Sequence, residues 1–117
     1  MVSGGMYNGK KLSSIEVYSA ASGWTEYSNG LPFASDQFGQ ASMGGSVYLF
    51  GGSEKPNIIL KFDPITSKFV EFGKLKSMRV GASVQVINSE FYIIDGNRFT
   101  DNLTIEIFGL GTVFFSV

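Results

Sequence analysis

The chain has 117 residues, a formal net charge of -1, 44% hydrophobic and 16% charged residues, and neither cysteine nor histidine. That length allows one ordinary domain with a modest core, and so apolar and weakly charged a composition excludes a disordered or solvating tail. Near-neutral charge leaves no clustered cations for nucleic acid or an anionic membrane, and without thiols or imidazoles there are no disulfides, no serine or cysteine triads and no thiolate or imidazole metal sites.

The amino-terminal stretch "MVSGGMYNGKK" lacks the apolar segment of a signal peptide, and no apolar run reaches the length of a membrane span. A soluble chain is expected, with the cytosol as the default compartment. Within this stretch "GGMYNGKK", from Gly4 to Lys11, has the spacing of a phosphate loop, but Lys11 stands where a Ser or Thr would ligate magnesium. The following "LSSIEVYS" alternates like a strand instead of opening a helix whose amino terminus could hold an anion. The expectation is a hairpin loop carrying two lysines.

Further along, the chain repeats itself. "VSGG" from Val2 is followed by "IEVYSAASGWTEY" from Ile15, a strand, a tight turn and an aromatic opening a second strand. "FGQASM" from Phe38 and "VYLFGG" from Val47 come next, then "ILKFDPITSKFVEF" from Ile59. The same order returns as "VGASVQVI" from Val80, "FYIIDG" from Phe91 and "TIEIFGLGTVFFSV" from Thr104. Trp24, Phe69 and Phe114 stand at equal steps of 45. Four short strands per unit of that length are the signature of an array in which no unit buries both its faces alone.

Gly51-Gly52 after an apolar strand, then "KFDPITSKF", then Met78-Arg79-Val80-Gly81 leading into the next unit, resemble the kelch repeat. The resemblance spans nearly the whole chain. The middle unit matches best; the first has "YSAAS" in place of the Asp-Pro turn, and the third has Asp95 for the first glycine and "FGLGT" in the turn. It implies an all-β fold of four-stranded antiparallel blades, a kelch-type β-propeller present as a partial ring. Residues 1–27 would end one blade, residues 37–72 form a second and residues 79–117 a third. Propellers typically have four to eight blades, so the chain reads as a fragment or a truncated gene product. Self-association through open blade faces and strand edges is expected, and the apolar, uncharged "TVFFSV" has the composition of an aggregation-prone edge.

Strand parity places the loops at residues 7–12, 53–57, 97–102, 29–37 and 73–79 on one face of the blades. This is the more charged face, and its Lys10, Lys11, Glu54, Lys55, Arg79, Arg98 and Asp101 are the candidate partner-binding residues. In kelch adaptors of ubiquitin ligases the resemblance implies a rim arginine that grips acidic peptides. Arg79 takes that position, with Gln37 at the equivalent place one blade earlier; as a bare residue Arg79 reads as a solvated edge cation. No catalytic, cofactor-binding or metal-ligating set emerges. Asp36, Asp63, Glu71 and Asp95 could act in pairs as acid and base, but Asp63 before Pro64 reads first as a turn former. The expected function is protein–protein interaction without enzymatic activity, involving neither nucleic acid nor membrane. The alternatives are a non-catalytic part of a propeller-scaffold enzyme, or a fragment without function of its own. Asn102-Leu103-Thr104 would matter as a glycosylation triplet only in a secreted chain.

Overall fold

A computed structural model describes residues 2–96, 104–109 and 114–116. Among them the fold is all-β, and no helix is long and apolar enough to cross a membrane. Strands β1 (Val2–Ser3), β4 (Ile15–Ser19) and β5 (Gly23–Tyr27) form a first antiparallel sheet, and a small hairpin of β2 (Met6–Tyr7) and β3 (Lys10–Lys11) stands between β1 and β4. The middle sheet runs in chain order through β6 (Gly39–Met43), β7 (Ser46–Phe50), β8 (Ile58–Asp63) and β9 (Lys68–Lys74). The third repeats it with β10 (Ser83–Ile87), β11 (Glu90–Ile94), β12 (Ile105–Gly109) and β13 (Phe114–Ser116).

The aromatic positions of the repeat are cross-strand pairs. Tyr18 lies opposite Trp24, Phe62 opposite Phe69 and Phe108 opposite Phe114, so the one-residue difference in turn length leaves the pairing intact. Asp63 does what its place before proline suggests: its carboxylate accepts the Ile65 amide at 2.9 Å and closes the β8–β9 turn. Asn8 and Gly9 take φ of 50° and 78°, the left-handed geometry that two-residue hairpins require.

Period-two alternation sends the two faces of the middle sheet into two cores. Tyr48, Phe50 and Ile59 pack against Phe91, Ile93 and Phe108 of the third sheet. Leu49, Ile58, Leu60 and Phe69 pack against Ile15 of the first sheet and Leu31 of the link between the sheets. Both faces of the middle sheet are therefore covered at β7 and β8, whereas Val70 and Phe72 of its last strand stay 46% and 42% exposed. Its last strand runs two residues past the expected end at 72, since Gly73 and Lys74 pair with Ile59 and Ile58, and a bulge inserts Phe72 between the Leu60–Glu71 and Ile59–Gly73 pairs. Phe72 packs edge-on against Tyr48 and Phe108, with ring centroids 5.5 and 6.0 Å away.

The double glycines set how each sheet meets the link that follows. Gly4-Gly5, Gly51-Gly52 and Asp95-Gly96 all have positive φ. The first residue of each pair donates to the chain at the start of β4, β8 and β12, at the Ser14, Ile58 and Thr104 carbonyls. Gly5 and Gly52 then donate outward, to Ser35 O and Arg79 O, and tie each sheet to the start of the next. A Cβ on Gly51 would lie 2.2 Å from Arg79 O and 2.8 Å from Pro56 O, so glycine is required by space as well as by its φ of 68°. Gly44 has φ 61° and nothing near its missing Cβ. Gly44→Ala should therefore cost only the left-handed term of about 1–2 kcal/mol, and Gly51→Ala clearly more, about 2–4 kcal/mol, when the two are compared by urea unfolding. Equal losses would show that the close approach is relieved without cost.

Candidate functional site

Most of the described residues expected at the binding face gather where the first sheet meets the middle one. The Asn8-Gly9 turn projects Lys10 and Lys11, and Lys11 Nζ reaches Glu54 Oε2 at 3.6 Å, joining the hairpin to the loop after Gly52. Lys55 Nζ lies 5.0 Å from the centroid of Phe33, a cation over an aromatic face that ties this loop to the link at residues 29–37. Beneath them Ser35 is fully buried and its hydroxyl accepts the Glu54 amide at 3.1 Å. The Ser53 hydroxyl donates to Asp36 Oδ1, and the Ser53 amide donates to Asp36 O at 3.0 Å. An ion pair this exposed contributes at most about 1 kcal/mol, so its effect is positional. The exposed cations Lys10 and Lys11 stand on the β2–β3 hairpin, and Lys55 on a loop held from below by hydrogen bonds.

Arg79 belongs elsewhere. It is 1% exposed, and its Nε pairs with Oε1 of the fully buried Glu106 at 3.0 Å. Its Nη1 donates to Asp95 O at 2.6 Å and Thr104 O at 3.1 Å, and Glu106 also accepts the Lys76 and Ser77 amides at 2.7 and 2.9 Å. Both readings of Arg79 from sequence, peptide grip and solvated cation, are thus corrected: it is an internal clamp between the second link and the third sheet. The equivalence with Gln37 is corrected as well. Ser35 and Arg79 are counterparts, since their amides bond Leu12 O and Pro56 O and their carbonyls receive Gly5 and Gly52. Gln37 corresponds to Gly81, both with positive φ, and the Gly81 amide donates to Gln37 O at 2.8 Å.

Arg98, Asp101 and the glycosylation candidate Asn102 lie outside the described residues. Of the acidic candidates, Asp36 holds Ser53, Asp63 closes its turn, Glu71 is exposed on β9, and Asp95 occupies the left-handed turn position. Among the described residues no three acidic side chains converge where they could hold a metal ion.

The link at residues 29–37 also reaches a segment expected on the opposite face, the β8–β9 hairpin. The Phe69 amide donates to Gly30 O at 2.6 Å, and an open cleft of about 680 Å³ is lined jointly by Leu31, Pro32 and Phe33 of the first link and Thr66, Lys68 and Val70 of the β8–β9 hairpin. Strand parity assigns those segments to opposite sides. Twist of roughly 20–25° per strand turns the outer strand of a four-stranded sheet across the inner one, which swings the two segments together. Phe33, Ser35 and Ser53 are the rim residues that sequence reasoning missed. Being neither charged nor part of a motif, they gave no signal in one sequence. Glu106 did give one, as the lone carboxylate in the apolar alternation of "TIEIF".

No protein-family model matches the chain, and neither does any curated protein.

Proposed function

We infer that the chain is a protein-interaction module: consecutive sheets of a kelch-type β-propeller whose rim of Lys10, Lys11, Lys55 and Phe33 receives an acidic, partly aromatic segment of a partner protein. The propeller reading is supported by sheets stacked face to face, by matched double-glycine turns, and by links that repeat the same hydrogen bonds from one junction to the next. The binding reading is carried by one observation, the braced rim, where exposed Lys11 and Lys55 and half-buried Phe33 are fixed by contacts among the β2–β3 hairpin, the loop after Gly52 and the link at residues 29–37. Loops positioned by a rigid scaffold are where recognition concentrates, and a local excess of cations favours acidic partners. Arg98 and Asp101 join the proposal through their place in the repeat.

Selection of displayed random peptides on the immobilised chain should enrich sequences rich in Asp and Glu with an aromatic. A synthesised hit should lose about tenfold or more in affinity against the Lys10→Glu/Lys11→Glu/Lys55→Glu chain, and weaken as salt rises. All three sites are exposed, so the triple variant should keep the wild-type circular dichroism spectrum. Hits without acidic character, or hits indifferent to the triple substitution, would overturn the reading.

A further inference from the structure

We propose that the two outward faces of the stacked sheets are complementary docking surfaces, and that one copy of this chain seats the far face of its first sheet on the far face of the third sheet of a second copy. The inference is independent of the rim, which lies on neither face.

The argument comes from how the repeat packs twice within the chain. At the joint between the middle and third sheets, the middle sheet offers Ala41, Met43, Tyr48, Phe50 and Ile59. The strand registers place Gln85, Ile87, Tyr92, Ile94 and Ile105 at the same positions of the third sheet, on the face turned away from the middle sheet. That face carries Tyr92, Ile94 and Ile105 at its centre with Glu90 at one end opposite Ile87, Ile87 is 47% exposed, and among the described residues no further sheet lies on it.

The opposite end of the stack shows the other half of the joint. Where the middle sheet receives the first, it uses Leu49, Leu60, Phe62 and Phe69. The first sheet carries Glu16, Tyr18 and Trp24 at the positions of Leu60, Phe62 and Phe69, on its outward face. Tyr18 and Trp24 form a ring pair with centroids 5.4 Å apart, yet each is 58% exposed, whereas Phe69 at the matching position is buried. An aromatic pair this open is unusual on a surface with no partner. Glu16 and its cross-strand partner Glu26 are both exposed and border this aromatic pair, which is therefore the apolar centre of the face.

The occupant is therefore a sheet of this same repeat, and a second copy supplies one with the required face uncovered. Such an interface is head-to-tail, with different patches meeting, which distinguishes it from a symmetric pairing of like faces. The test uses exposed positions, so that folding is not at stake. Gel filtration with light scattering should find the wild-type chain as dimers or larger species. Trp24→Lys, which blocks the first face, and Gln85→Glu/Ile87→Glu, which blocks the third, should each be monomeric alone with unchanged circular dichroism. Mixed in equal amounts, the two blocked chains should form a heterodimer through their remaining free faces. A monomeric wild type, a blocked chain that still associates with itself, or a mixture that stays monomeric would each overturn the proposal.

Discussion

Glu106→Leu is expected to lower unfolding stability by about 3–5 kcal/mol, the usual cost of removing one member of a buried ion pair and stranding the other. In this chain the substitution would leave the Arg79 guanidinium without its counter-charge and the Lys76 and Ser77 amides without an acceptor. Leucine is the informative replacement because the middle sheet already carries Leu60 at this position, buried against the first link. The first link tolerates that leucine for a reason visible in its sequence. Leu31 and Leu75 are matching link residues, their amides donating to Ser13 O and Asn57 O. Lys76 is then the counterpart of Pro32, which has no amide proton to satisfy, and Arg79 is the counterpart of the small Ser35. One junction is solved with an apolar set and the other with a charged set. The triple substitution Glu106→Leu/Lys76→Pro/Arg79→Ser should consequently recover at least half of the loss in denaturant melts. A triple variant no more stable than Glu106→Leu alone would show that the two junctions are not interchangeable.

Phe91→Ala should cost about 3–5 kcal/mol, the range for deleting a fully buried phenyl ring. Phe91 is 0% exposed and lies at the centre of the joint between the middle and third sheets, with ring centroids 4.9 Å from Tyr48, 5.0 Å from Phe50 and 6.4 Å from Phe108. Its removal opens a cavity in one joint and leaves the other untouched. Domains have total stabilities of about 5–15 kcal/mol, so the loss is a large share of the whole, and the third sheet should detach before the first two sheets unfold. Hydrogen exchange should show early loss of protection in β10–β12 and retention in β4–β5 and β7–β8. Uniform loss across all three sheets would mean that the stack unfolds as one unit.

Much of the fold was legible because its determinants are local. Strand alternation, the Asn8-Gly9 hairpin, the Asp63 turn and the spacing of Tyr18, Phe62 and Phe108 from their partners each depend on a few consecutive residues. The all-β architecture follows from summing them. Similar letters misled where geometry and composition part. "FGQASM" and "VGASVQVI" invite matching Gly39 with Gly81, whereas the strand pairing matches Gly39 with Ser83 and Gln37 with Gly81. At the rim, Lys10, Lys11, Glu54 and Lys55 were found as charges, but the contacts that gather them run through Phe33, Ser35 and Ser53, which no motif marks.

By itself the sequence determined the strands, their turns, the left-handed backbone at each double-glycine position and the absence of imidazole and thiol chemistry, since backbone sterics and residue type decide these within a few positions. Only the tertiary structure decided that Arg79 is buried, that the two outer segments share a cleft, and that Phe72 turns into the joint between sheets. Those outcomes depend on groups distant in the chain meeting at the close of folding: Glu106 reaching back to the second link, accumulated twist crossing outer strands over inner ones, and a bulge re-aiming one side chain.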